Sequence, residues 1–543
     1  MIVKSRLFVI SLLLLITSIL TLGYFWLPSP KDSSSKSFSA IRVSEDIRVI
    51  SREPHSVDNA EARERVRLYL SERLKDIGFH TEVEYYDTIG NVYATLPPIS
   101  SHQGDSSSYV LLMAHLDSRF ANMVNERLHY SLGAADDGYG LGVILELARN
   151  SIEYRERWSQ GVKILFTDSE EKNLEGMRMA LKYRSDFLSD VGLIINLEAR
   201  GVKGPALLFE TSPGNSRIME LYRDASIPAG YSLSSFVYGI LPNYTDFSLI
   251  KNEFAGINFA VIDNLDYYHT ELDNFENISL SSIQHYGEQL APIVKSYLTE
   301  KRYSDLNYMK AGEDLVFFTI PFIGLVSFTS NGYLFLNIII MLSFILNVIY
   351  LIKNKRVSLR KCLISSIIIF SITLILAIIG FLVSQFLALI NNADYKFIAL
   401  AHLKYDNILS ILVFVISFII IYLAYKRLIS SAISSKIDFQ VASEFLLFII
   451  SLVSFIFIRE NFFILIPLIY SLLSRSSYNF KQGWVLILLL SILLLLITVP
   501  FVHTIYLALY TGAISIPLTI MVLVFFVLIP SIHRVSTKLA KSD

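Results

Sequence analysis

Five residues of metal-binding type stand at the ends of apolar, strand-like runs in one part of this chain. They are His115 in VLLMAHLDS, Asp136 in GAADDGYG, Glu171 in ILFTDSEEKNLEG, Glu198 in IINLEARG and His269 in YYHTELDN, spread over about 150 residues. Two histidines and three carboxylates can divide into two nitrogen/oxygen sites joined by one bridging carboxylate. A pair of zinc ions uses that arrangement to hold and ionise a water. The chemistry it implies is metal-assisted hydrolysis.

Their neighbours sharpen the reading. In His115-Leu116-Asp117 both polar side chains share one face of a strand end, so Asp117 can accept the second ring N–H of His115 and fix its tautomer. Glu170 and Glu171 point different ways, so one can bind metal while the other faces the activated water. Each feature also has a bland reading. Glu170 and Glu171 fit a solvated acidic loop with Asp168 and Glu175; the Asp136 turn fits a helix cap; Glu198 fits a salt bridge to Arg200; His269 fits a turn packed on Tyr267 and Tyr268. All five bland readings must hold together for the site to be absent.

The elements that carry these residues alternate. Residues 58–77 have helical spacing and end before Gly78, and short β-rich runs TEVEYYD and NVYATLPP follow. Then come strand VLLMAHL, helix GLGVILELARN, strand GVKILFT, a helix from about Leu174 to Tyr183, and strands GLIINLE and PALLFET. Near-continuous apolar strands separated by helices predict an α/β fold with a mostly parallel-centred mixed sheet covered on both faces. Functional residues in such sheets collect beyond the carboxyl ends of the strands, where His115, Glu170, Glu171 and Glu198 fall.

The rest of the chain is bilayer material. Of 543 residues 53% are hydrophobic and 17% charged, with mean hydropathy +0.49, and the charges concentrate between about residues 40 and 312. A net charge of -1 supports no nucleic-acid partner, and the single cysteine, Cys362, excludes a disulfide framework or a thiolate metal site. Residues 7–27 form an apolar run behind Lys4 and Arg6 that is longer than a usual signal-peptide core and lacks a cleavage-like site, so it reads as an uncleaved anchor.

The expected organisation is an anchor over 1–30, a flexible Ser/Lys-rich tether over 31–44, a soluble domain over 45–312, an interfacial segment over 313–331, and an all-α polytopic region over 332–543 with about seven helices. Lys4 and Arg6, then Lys353, Lys355, Arg356, Arg360 and Lys361, then Lys426, Arg427 and Lys436, then Arg475 and Lys481, then Arg534, Lys538 and Lys541 alternate onto one side. The positive-inside rule then places both termini in the cytoplasm and the soluble domain outside it. The spans show few ionisable residues in their apolar centres; His503, Arg459 and Glu460 fall near span ends, which favours an anchor or platform over a transport path.

Taken together, PHSVDNAEARERVRLYL, AHLDS, GAADDGYG, FTDSEEKNLEG, NLEARG and YHTELDNFENIS, over roughly residues 45–300, resemble the M28 family of zinc peptidases, and the appended spans resemble its vacuolar and endoplasmic-reticulum membrane branch. The resemblance implies two zinc ions bridged by Asp136, one completed by His115 and Glu198, the other by Glu171 and His269. It implies Glu170 as general base, Tyr268 as a donor to the developing oxyanion, and a cis peptide between Asp136 and Asp137. Glu198 stands where many soluble members have Asp, and GYG replaces the usual small residues after the bridging turn.

The reading is a membrane-anchored di-zinc peptidase, an aminopeptidase by resemblance, acting on peptide substrates. Another divalent metal remains compatible with the ligands. A transporter or scaffold with a peptidase-like binding domain, and a single-zinc enzyme like glutaminyl cyclase, are the alternatives. The retained Glu170 favours an enzyme, because a binding module needs no general base.

Overall fold

A computed structural model describes residues 2–22, 26–99, 108–124, 127–241, 243–397, 403–478, 480–509 and 511–539. Lys541 and residues 23–25 of the N-terminal apolar run lie outside them. The chain forms two compact units, one of residues 27–330 and a helical one of residues 1–26 with 331–543.

After helix α1 (Ile2–Leu20) of the helical unit, the first unit begins with α2 (Ala40–Ile50) and α3 (Ala60–Ile77). Asn59 caps α3 at its start, and Gly78 at φ 107° stops it where the sequence predicts. Strands β1 (His80–Tyr86), β2 (Ile89–Leu96) and β3 (Tyr109–His115) follow, with a small hairpin β4 (Asn122–Val124) and β5 (Arg127–His129). Then come α4 (Gly138–Ile152), β6 (Gly161–Thr167), α5 (Glu175–Tyr183), α6 (Ser185–Leu188), β7 (Val191–Ala199) and β8 (Leu207–Thr211). The unit continues through α7 (Ser216–Tyr222), α8 (Ser232–Ile240), α9 (Asp246–Ile250), β9 (Gly256–Val261), α10 (Leu280–Thr299), β10 (Leu315–Ile320) and β11 (Gly324–Thr329).

Seven strands form one sheet in the order β1-β2-β6-β3-β7-β9-β8. The four central strands, β6, β3, β7 and β9, are parallel, and antiparallel pairs close both margins. Alternate side chains of β3 feed two cores: Val110, Leu112 and Ala114 pack with α2, α3, α4 and α10, while Leu111 and Met113 pack with α5, α6 and α9. Strand β9, GINFAV, is an addition to the strands named from the sequence, and it carries the chain to His269.

Two segments differ from their composition. Residues 31–37, expected as a flexible tether, are fastened to the domain: Arg42 donates to the carbonyls of Ser33, Ser35 and Ser37, and Lys31 pairs with Glu288. One guanidinium supplies the donors that a solvated tether would take from water. Residues 315–329, expected as interfacial, form the β10–β11 hairpin, with Ser232 Oγ exchanging hydrogen bonds with both the N–H and C=O of Phe317.

The helical unit adds α11 (Ser330–Lys353), α12 (Leu359–Ile390), α13 (Asp406–Ser430), α14 (Lys436–Ile458), α15 (Phe462–Ser477), α16 (Gly483–Leu509) and α17 (Ser515–Leu539). Among the described residues six helices are long and apolar enough to cross a membrane; α15, with 16 residues, is shorter. Buried within this unit is an ion pair that hydropathy conceals, Glu444 of α14 with Arg475 of α15 at 2.7 Å, backed by Ser471 and Asn347.

The loop after β6 is held by a second buried ion pair. Asp168 Oδ2 accepts from Arg67 Nη2 at 2.6 Å and from the Gly90 N–H at 2.7 Å, and Arg63 lies 3.3 Å from Oδ1. Gly176 packs so closely that an added Cβ would lie 2.2 Å from the Asp168 carbonyl. Removing one partner of a fully buried pair strands the other charge, at a cost of about 3 kcal/mol. Arg67→Ala is therefore expected to lower the stability of the purified protein by about that amount in denaturant unfolding; an unchanged midpoint would show that Arg63 alone holds Asp168.

Candidate metal centre

Parallel strands place their carboxyl ends on one edge of the sheet, and the candidate ligands gather there. His115 ends β3, Glu198 stands near the end of β7, Glu170 and Glu171 follow β6, His269 follows β9, and Asp136 sits in the turn entering α4. Tyr286 of α10 fixes two of these ends by accepting the Val261 N–H and donating to the Glu198 carbonyl.

Asp136 stands between the histidines. His115 Nε2 is 3.2 Å from its Oδ1 and His269 Nε2 is 3.3 Å from its Oδ2. Glu198 Oε2 lies 3.8 Å from His115 Nε2, and Glu171 Oε1 lies 2.9 Å from His269 Nε2. Two groups of potential ligand atoms result, His115 with Asp137 and Glu198, and Asp136 with Glu171 and His269. Asp137 serves a different purpose: its carboxylate accepts the N–H of Gly140, which caps α4, and that of His115. A side chain at position 140 would meet that carboxylate at 2.4 Å, so glycine in GYG is a steric requirement of the cap. Tyr139 of the same motif donates to the Val202 carbonyl and accepts from the Ser279 N–H. The Asp136–Asp137 peptide is cis, as the resemblance implies.

Asp117 departs from its expected contact. His115 Nδ1 is 2.8 Å from the Asp117 main-chain carbonyl and 3.6 Å from the carboxylate, so the carbonyl sets the tautomer. The carboxylate instead accepts the N–H groups of Glu170, at 2.9 Å, and Glu171, at 3.4 Å. A group committed to orienting the acidic pair on the neighbouring strand has less freedom to meet the ring. Either way Nδ1 is committed to Asp117 and Nε2 faces Asp136 and Glu198.

Further residues complete the centre that the sequence reading did not single out. Asp273 accepts the N–H groups of Ala135, at 2.6 Å, and Asp136, at 3.3 Å, and the Ser131 hydroxyl. An acid four residues beyond a candidate ligand was its only local signal. Asn196 Nδ2 holds Glu198 Oε1 at 3.0 Å, and Arg119 Nη1 holds Glu171 Oε2 at 2.8 Å. His269 itself lies at φ 62°, an uncommon conformation for a non-glycine residue, with its carbonyl accepting from Asn122 Nδ2.

So many buried acids raise one another's proton affinity. Burial pushes Glu170 well above the usual carboxylate range, with the Glu198 and Glu171 charges adding to it. Burial and the Asp136 charge hold Glu198 up at about 8 against the pull of His115. Burial, then Asp136, raises Asp273 to about 7. Burial disfavours charged His269, but Glu171 and Asp136 outweigh it and hold the imidazole at about 9. Tyr268, stacked on His269 with ring centres 3.6 Å apart, is kept protonated by burial and the charges of Asp136 and Glu171.

Sheet order and the ligand cluster define an α/β domain with candidate metal ligands at one edge. Residues 91–294 match the model of peptidase family M28. The chain is 29% identical over 267 residues to endoplasmic reticulum metallopeptidase 1 of Mus musculus, covering 48% of this chain and 28% of that protein. It is 31% identical over 252 residues to the Homo sapiens protein of the same name, covering 46% and 26%. To the vacuolar membrane protease of Schizosaccharomyces japonicus it is 26% identical over 338 residues, covering 58% and 37%. The matched region thus spans well under half the length of these relatives. Among solved structures, an aminopeptidase from Aneurinibacillus sp. strain AM-1 aligns with TM-score 0.39 and 14% identity, covering 48% of this chain and 95% of that one. Glutaminyl cyclase of Porphyromonas gingivalis aligns with TM-score 0.39 and 20% identity, covering 49% and 100%.

A carboxyl whose folded pKa is raised contributes stability below its unfolded pKa and loses it as pH rises through the folded value. Glu198, near 8, and Asp273, near 7, act in this sense, and His269, near 9, loses its contribution over the upper part of the same window. Metal-stripped protein is therefore expected to melt at lower temperature at pH 8 than at pH 5. Zinc is expected to restore more stability at pH 8; thermal scans showing the opposite order would contradict this electrostatic account.

Proposed function

We propose that the chain is a membrane-anchored di-zinc metallopeptidase, an aminopeptidase, that hydrolyses peptides outside the cytoplasm. The observation that carries this reading is the convergence of three buried atoms of ligand type, Asp136 Oδ2 and Glu171 Oε1 lying 3.3 and 2.9 Å from His269 Nε2. Two carboxylate oxygens aimed at one imidazole nitrogen form the donor set of a divalent cation, which would take the place of the imidazole proton. His115, Asp136 and Glu198 would hold one zinc, and Asp136, Glu171 and His269 the other. Five ligands in two sets favour two ions over the single zinc of a cyclase-like enzyme.

Bound zinc would supply Lewis acidity toward a substrate carbonyl and lower the pKa of a water. Glu170 would accept a proton from the attacking water and pass it to the leaving amine. Its carboxylate suits the task because burial and neighbouring charges give it an affinity for protons far above that of a surface glutamate. Asp117 holds the Glu170 main chain in place. Tyr268 remains a neutral phenol and donates to the oxyanion that develops as the carbonyl is attacked. The loop charges, alternating onto one side of the spans, support cytoplasmic termini and an extracytoplasmic catalytic domain.

The deciding experiment compares wild type with Glu170→Gln on a panel of free-amine and N-blocked peptides, with bound metal quantified. Wild type is expected to cleave free-amine substrates, and the variant to lose at least about a hundredfold in kcat while retaining about two metals. Equal activity in the variant would remove Glu170 from the mechanism, and cleavage of N-blocked peptides would replace the exopeptidase by an endopeptidase. Protease added to sealed, right-side-out vesicles is expected to digest residues 45–312; protection of that region would reverse the orientation.

A further inference from the structure

The two glutamates of the centre are held in the same way by partners of different charge. Glu198 gives Oε1 to the neutral amide of Asn196 and keeps Oε2 toward His115. Glu171 gives Oε2 to the Arg119 guanidinium, which also donates to the Glu171 carbonyl at 3.2 Å, and keeps Oε1 toward His269. Each glutamate is thereby presented through one oxygen, but on the His269 side a full positive charge stands behind the ligand. That side is also the more open, His269 being 18% exposed where His115 is 1%.

Resting on the two-metal reading above, we propose that Arg119 is a positioning residue that sets the metal affinity of the site formed by Asp136, Glu171 and His269 and makes it the weaker, exchangeable one. Two effects oppose each other. Nη1, donating to both the carboxylate and the carbonyl of Glu171, orients that residue and so favours binding, as hydrogen-bonded partners of metal ligands generally do. Its charge withdraws electron density from the carboxylate and repels a dication, and its position, only partly open to water, leaves that repulsion incompletely screened. The Asn196 side has the orientation without the repulsion. When metal is scarce, the His269 position empties first, so the proposed activity follows metal supply while the His115 position stays filled.

The test separates the two effects. Purified full-length protein, stripped of metal, is titrated with zinc against a chromophoric chelator. Wild type is expected to give a tight and a weak phase. Arg119→Gln keeps a donor and removes the charge, so its weak phase should tighten by about tenfold; Arg119→Lys keeps the charge but puts it on a shorter, flexible stem without the rigid plane that sets Nη1 on Glu171, so its weak phase should loosen by about tenfold. The tight phase is expected to move in neither and serves as the internal reference, since partial unfolding would diminish both phases together. Opposite shifts would establish the assignment. Shifts in the same direction, or none, would overturn it while leaving the two-metal reading in place, and uptake of a single zinc by wild type would overturn both.

Discussion

The constraint on which the domain depends is the desolvation of negative charge. Asp136, Glu170 and Glu198 are buried together at one sheet edge, with the Glu171 carboxylate beside them and Asp137, Asp246 and Asp273 close behind. No polypeptide gathers so many carboxyl groups away from water unless cations or protons balance them. Among the described residues, the side chains that can carry positive charge at this edge include His115, His269, Arg119 and Arg200. A cation held between the histidines would reconcile this chemistry with a stable fold, and burial with neighbouring charge raises the proton affinities of Glu170 and Glu198 above the usual carboxylate range.

The remaining acids act as connectors for the main chain. Asp117 ties the end of β3 to the loop after β6, Asp168 ties that loop to α3 and β2, Asp137 starts α4, and Asp273 grips the turn that presents Asp136. Asp117 and Asp273 satisfy N–H groups in the loop after β6 and the turn before α4, while Asp168 and Asp137 satisfy ones at the start of β2, at the end of β3 and in the first turn of α4. At this edge side-chain carboxylates thus tie strand ends, loops and helix starts to one another.

Much of this was legible in the sequence. Helix α3 announced itself by spacing and by Gly78, and β3, β6 and β7 by unbroken apolar runs whose ends carry the histidine and the acids. What escaped has a common cause. Asp273 and Arg119 act on main chain or side chains far from them in sequence, and a carboxylate that accepts a distant N–H looks no different in composition from one in solvent. Arg42 was hidden likewise, since a serine-rich stretch reads as mobile until a guanidinium that crosses it is placed. The β10–β11 hairpin shares its apolar composition with the spans that follow; only its pairing and its contact with Ser232 distinguish it.

The buried pair of Glu444 and Arg475 bears on how the chain enters a bilayer. A lone charged side chain near the middle of a span costs roughly 2.5 to 3.5 kcal/mol on insertion scales, and α15, at about 24 Å, falls short of a hydrocarbon core of about 30 Å. The two residues belong to consecutive helices joined by a short turn, and their charges cancel at 2.7 Å. Entry of α14 into lipid therefore costs less when α15 accompanies it as one neutral hairpin than when its glutamate enters unpaired.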